Sequence, residues 1–120
     1  MIRLEQRGAV AFTCMAIAVV VILPTNLRAL LRAHIGLPCP YCTKPMLKPT
    51  RDHIRPVRYG GSLTDQNKVI VCEPCNHDRG HHTLTDWARH LRRDGDPRAA
   101  TVTAFRAARK AAKAEADRRM

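Results

Sequence analysis

Four residues in this chain have the types and spacing to do chemistry: Asp52 and His53 side by side, then Asn67, then Asn76. They lie between and just after two Cys-x-x-Cys pairs, Cys39-Pro-Tyr-Cys42 and Cys72-Glu-Pro-Cys75. Cleaving a phosphodiester with water takes a base, a cation to meet charge on the phosphate and leaving oxygen, and a frame to hold both. His53 suits the base, because imidazole titrates near neutral pH. Asp52 is its neighbour on an extended strand, where consecutive side chains point to opposite faces. It therefore cannot stack beside His53, but its carboxylate can reach a hard cation under the strand. Asn76 falls at the start of a helix anchored by Cys75, and its amide oxygen offers a second hard ligand.

The frame comes from the cysteines. Paired Cys-x-x-Cys spacing is the recurring pattern of a structural zinc site, here Cys39, Cys42, Cys72 and Cys75. A disulfide framework is the competing reading, although cysteines this close in sequence make awkward structural disulfides. A redox pair of the thioredoxin kind lacks the βαβ pattern around it. Thiols kept reduced and bound to metal point to the cytoplasm. Zinc would fix the helix after Cys75 against the strand carrying Asp52, pre-organising Asp52 and Asn76. The fifth cysteine, Cys14, is expected to be an inert buried thiol.

The two pairs have 29 residues between them, more than a simple zinc ribbon needs, so a substructure is inserted in the zinc loop. Two short strands fit there, near Thr50–Arg55 and Lys68–Val71, joined through a turn at Gly60-Gly61-Ser62. A short helix carrying Asn76 and Arg79 follows. Upstream, Thr25 to Ile35 reads as a helix capped by Thr25 and ended by Gly36, with Leu27, Leu30 and Leu31 on one face. Downstream, Thr83 to Arg93 reads as a helix with Thr83 as cap and Asp86 completing a capping box. Leu84, Trp87 and Leu91 form its apolar face, with Trp87 in the core. Gly95 and Pro97 break it, and residues 98–120 form an Ala-rich basic helix that docks near Val102 and Phe105. Together these predict a small α+β fold: an apolar arm over 1–24, a zinc-stapled ββα domain over 25–93, and the basic helix over 94–120.

Asp52-His53-Ile54-x-Pro56, Gly60-Gly61, Asn67, Cys72-x-x-Cys75-Asn76 and Arg79-Gly80 together resemble the HNH endonuclease motif, the ββα-metal or His-Me finger. The likeness covers about a third of the chain, from Pro38 to His82, with the motif elements in order. Spacing from Asp52 to Asn67 to Asn76 is also similar to the HNH domain of CRISPR effector proteins. The resemblance implies hydrolysis of DNA with His53 as general base and Asn67 bracing the loop between the strands. It implies that Asp52 and Asn76 hold one divalent ion, Mg2+ or Mn2+, and that Arg79 contacts the scissile phosphate. Where many members end the motif with His, this chain has Asn76, which tilts the ion preference toward Mg2+ or Mn2+. His77, His81 and His82 crowd the same place, and either assist as ligands or face solvent.

Charge agrees with a polyanionic partner. Lys and Arg number 21 against 10 Asp and Glu, a formal +11. Four zinc-bound thiolates would lower this only to about +9. Such a surface concentrates nucleic acid. Lys44, Lys48, Arg51, Arg55 and Arg58 flank the site, either as a solvated face or as contacts to the DNA backbone, with Arg55 the one expected beside Arg79 as a phosphate contact. A protein partner for target recognition or packaging fits the habits of the family. Two other classes compete with a nuclease: a zinc-dependent nucleic-acid-binding module that does not cut, and a membrane-anchored protein. The second would use the apolar run Gly8–Leu23, which reads equally as a buried strand or as a mis-assigned start.

Overall fold

The structure, a computed structural model, describes residues 26–120. The expectations placed on Gly8–Leu23, Cys14 and Thr25 lie outside those residues. Among the described residues, no helix is long and apolar enough to cross a membrane.

The chain runs α1 (Leu27–Ala33), β1 (Pro49–His53), β2 (Lys68–Cys72), α2 (Glu73–Arg79), α3 (Leu84–Arg93) and α4 (Arg98–Arg118). The fold is α+β, with β1, β2 and α2 forming a ββα unit and the other helices flanking it. β1 and β2 pair antiparallel in a register that sets Pro49 opposite Cys72, Asp52 opposite Val69 and His53 opposite Lys68. The long connection between them winds through two single 3-10 turns, Val57–Tyr59 and Asp65–Asn67.

Helix boundaries follow from their caps. α1 is capped by Asn26, whose side chain accepts from the Ala29 amide, a job the sequence reading gave to the adjacent Thr25. None of its expected apolar face is fully buried: Leu27 is 40% exposed, and Leu30 and Leu31 are half-buried. α2 begins before Cys75, not after it, with Pro74 in the first turn where a missing amide hydrogen costs nothing. Thr83 caps α3 by accepting from the Asp86 amide; the Asp86 carboxylate takes Arg89 instead of closing a reciprocal capping box. Gly95 sits at φ 69° and turns the chain into α4.

The core gathers around Tyr41, which lies between Cys39 and Cys42. Its ring is fully buried and meets Trp87 edge-on at 5.2 Å and Phe105 at 5.4 Å. Trp87, Leu84 and Leu91 of α3 and Val102 of α4 pack beside it with Met46 and Val71. Beyond Phe105 every residue of α4 is exposed, as its lack of large apolar side chains predicts. One side chain ties that outer stretch back: Arg109 donates to the carbonyl of Gln66, next to Asn67.

Candidate functional site

The cysteine frame is assembled first. Cys39 and Cys42 lie on a tight turn in which the Cys39 amide donates to the Lys44 carbonyl and the Thr43 amide to the Cys39 carbonyl. Cys72 ends β2 and Cys75 lies in the first turn of α2. All four sulfurs fall within 4.8 Å of one another, a cluster compatible with a tetrahedral zinc ion. The Tyr41 and Cys72 amides each point at the Cys39 sulfur at 3.4 Å. The Cys75 thiol and then these amides hold Cys39 well below the usual thiol range, against the opposing effect of burial. The same contact pushes the Cys75 thiol up, and burial pushes Cys72 up; as zinc ligands all four would be thiolates. From α4, Arg98 adds a contact of 3.6 Å to the Cys75 sulfur while it also grips Asp78 and Asp96.

Zinc at this place would pin α2 against β1, and the side chains between the two elements form two rungs. Thr50 and Asp52 share a face of β1, being two residues apart. Asn76 and Arg79 share a face of α2, being three apart. The first rung is Asn76 Nδ2 donating to Thr50 Oγ1 at 3.0 Å. Thr50 in turn gives its hydroxyl hydrogen to the Val71 carbonyl, so its oxygen must accept from Asn76. That fixes the Asn76 amide with Oδ1 turned away from Thr50. The second rung is Arg79 Nη1 on Asp52 Oδ2 at 2.5 Å.

This second rung corrects the expectation for Arg79. A residue that touches the scissile phosphate must present its donors to solvent, and Arg79 is 0% exposed. Its guanidinium is spent inside the protein, on Asp52, on the Tyr41 hydroxyl and on the carbonyls of His53, Ile54 and His82. Asp52 is buried too and accepts from Tyr41 as well as Arg79, both on Oδ2. Its Oδ1, like Oδ1 of Asn76, has no hydrogen-bond partner among the described residues. Two oxygens of this kind on adjoining rungs match the donor set a hard divalent cation takes.

His53 ends β1 half-buried, and its ring makes no hydrogen bond to a described residue. The loop after it is held by Asn67. The Asn67 Oδ1 accepts from the Arg55 amide, and Nδ2 donates to the carbonyls of Arg55 and Ser62. The Asn67 carbonyl accepts from the Ile54 amide. Gly61 is needed here because a Cβ would stand 1.8 Å from the Arg55 carbonyl oxygen and 2.9 Å from Asn67 Nδ2. Arg55 itself is exposed beside this loop.

The three histidines after Asn76 go elsewhere. His77 is exposed on a groove of about 1190 Å³ beside Cys42, Cys72 and Cys75. His82 rests edge-on against His90 at 4.8 Å, and His81 is exposed. None of the three bonds to Asp52 or Asn76 among the described residues. That groove is also lined by none of Asp52, His53, Asn67 or Asn76.

Against known families, residues 39–92 match the family model described as HNH endonuclease. Over these residues the chain is similar to HNH endonucleases. The matched span runs from Cys39 to one residue short of the end of α3, so it takes in the cysteine cluster, the ββα unit and both rungs. Comparison with curated proteins and with solved structures returned no match. Two residues that bond to Asp52 or Asn76 were not singled out on the sequence: Tyr41, inside Cys39-Pro-Tyr-Cys42, and Thr50, in the first strand. Thr50 had a signal, since it alternates onto the face of Asp52. Tyr41 had none.

Proposed function

We propose that the chain is an endonuclease that hydrolyses DNA phosphodiester bonds with one divalent ion, leaving a 5′ phosphate and a 3′ hydroxyl. The observation that carries this is the pair of unengaged oxygens, Asp52 Oδ1 and Asn76 Oδ1, on rungs tied to the strand that ends in His53, within a span matched to HNH endonucleases. His53 takes the proton of the attacking water, its ring having no competing hydrogen bond among the described residues. Asn67 clamps the chain on either side of the loop and so keeps His53 in place. Asp52 and Asn76 would hold Mg2+ or Mn2+. When bound, the ion supplies positive charge to the phosphate and the leaving 3′ oxygen. Zinc stays structural at the four cysteines.

DNA would lie over an exposed basic surface and needs no enclosed pocket. Arg55, with Arg51 and Arg58, borders the His53 edge, all three being exposed. Along α4, Arg106, Arg109, Lys110 and Lys113 recur at helical spacing on one side, and Arg109 is the one that touches Gln66. These cations would contact phosphates and carry no sequence preference of their own.

Nicking of supercoiled plasmid tests the reading. Zinc is expected to remain after dialysis against a mild chelator, while cleavage requires added Mg2+ or Mn2+. Full cleavage with no added divalent ion would contradict the one-metal site. Tight DNA binding with no cleavage under any divalent ion would favour a binding module that has kept the fold.

A further inference from the structure

The Arg79 side chain bonds to five residues, more than any other among the described residues, and four of them are Asp52, His53, Ile54 and the tyrosine on Asp52. Nη1 reaches Asp52 Oδ2 at 2.5 Å, the His53 carbonyl at 2.9 Å and the Tyr41 hydroxyl at 3.2 Å. Nη2 reaches the Ile54 carbonyl at 2.5 Å and Nε the His82 carbonyl at 3.0 Å. One guanidinium thus holds the residue before His53, His53 itself and the residue after it, from the last position of α2.

We infer that Arg79, with Tyr41, is the positioning pair of this site: it sets the base relative to the ion ligands and commits one oxygen of Asp52 so that the other is left for the cation. The inference rests on the nuclease reading above. A planar fork with five donors can serve a carboxylate and three carbonyls at once, whereas an ammonium has three donors and no fixed plane. Charge alone is therefore not what the position uses. Arg79 also comes from the same helix as Asn76, so the two proposed ion ligands are registered to each other through α2, one bridged to Thr50 and the other held by the arginine.

The test compares wild type with Arg79→Lys, which keeps the charge and loses the fork, and Tyr41→Phe, which keeps the ring packing and removes one partner of Oδ2. Four quantities are read on the full chain: zinc content, Mn2+ affinity without DNA by electron paramagnetic resonance, the salt dependence of duplex binding without divalent ion, and kcat and KM for nicking. Arg79→Lys is expected to keep its zinc and its salt slope, to bind Mn2+ about tenfold or more weakly, and to lose kcat by at least that factor with KM near wild type. Tyr41→Phe is expected to move Mn2+ affinity and kcat in the same direction by a smaller factor. Wild-type Mn2+ affinity and kcat in Arg79→Lys would overturn the inference, as would a rise in KM at unchanged kcat, which would put Arg79 on the DNA. If Arg79→Lys fails to hold zinc, Tyr41→Phe decides alone, and wild-type values there overturn the inference. A wild-type protein that neither binds Mn2+ nor nicks would bring down the nuclease reading itself.

Discussion

Asp52 shows how much a single carboxylate depends on what its neighbours claim. Oδ2 is taken by Arg79 and Tyr41, and the burial of all three makes these bonds stronger than they would be at the surface. Burial first, and then the Asp52 carboxylate beside it, push the Tyr41 hydroxyl above its ordinary value of 10.0. The folded value being raised, the stability this hydroxyl contributes is whole below pH 10 and is lost only as pH climbs beyond that. In Tyr59→Phe, where Tyr41 is the only tyrosine left, an ultraviolet titration should therefore show ionisation only together with unfolding; a phenolate appearing near pH 10 in that folded protein would mean that the Tyr41–Asp52 bond is not as described. The residues proposed for the chemistry can be picked out in the sequence by their types: Asp, His and Asn at motif spacing, and four cysteines in pairs. Arg79 was misread for a physical reason. Charged side chains are almost never fully buried unless paired, and its partners Asp52 and Tyr41 stand 27 and 38 residues away in sequence, a proximity that only the fold creates.

At the scale of elements, most of what was legible came from local signals. Val69 to Val71 and the alternation around Asp52 mark two short strands, and α3 carries its apolar stripe Leu84, Trp87 and Leu91 into the core as its period predicts. Two boundaries slipped where adjacent residues could both do the work. Asn26 caps α1 beside an equally competent Thr25, and α2 starts at Glu73 because Pro74 favours the first turn. α3 deserves a direct test, since it spans from the end of the ββα unit to the corner leading into α4. Thr83→Ala removes the oxygen that accepts the Asp86 amide and is expected to destabilise the protein by about 1 kcal/mol. Thermal or urea unfolding of the zinc-loaded protein measures this, and no change in midpoint would show that the cap contributes nothing.

Across the whole molecule, the aromatic complement is small: two Phe, two Tyr and one Trp in 120 residues. One tyrosine, Tyr41, carries the centre of the core and lies between two of the four clustered cysteines. The cysteine cluster and the core are thus one structure, and removal of a metal held there should be felt as unfolding. Stripping zinc with a strong chelator is expected to abolish the near-ultraviolet circular dichroism and the resistance to protease together. A metal-free protein that kept both would show that packing alone suffices. The same frame holds α2, and through its two rungs the strand that ends in His53, so structure and proposed chemistry share one support. The claim at the centre is that His53 makes the nucleophile. Plasmid nicking with Mg2+, wild type beside His53→Ala, tests it most directly. Cleavage is expected to vanish in His53→Ala while zinc content and DNA binding stay at wild-type levels; equal nicking by a clean His53→Ala preparation would contradict the account.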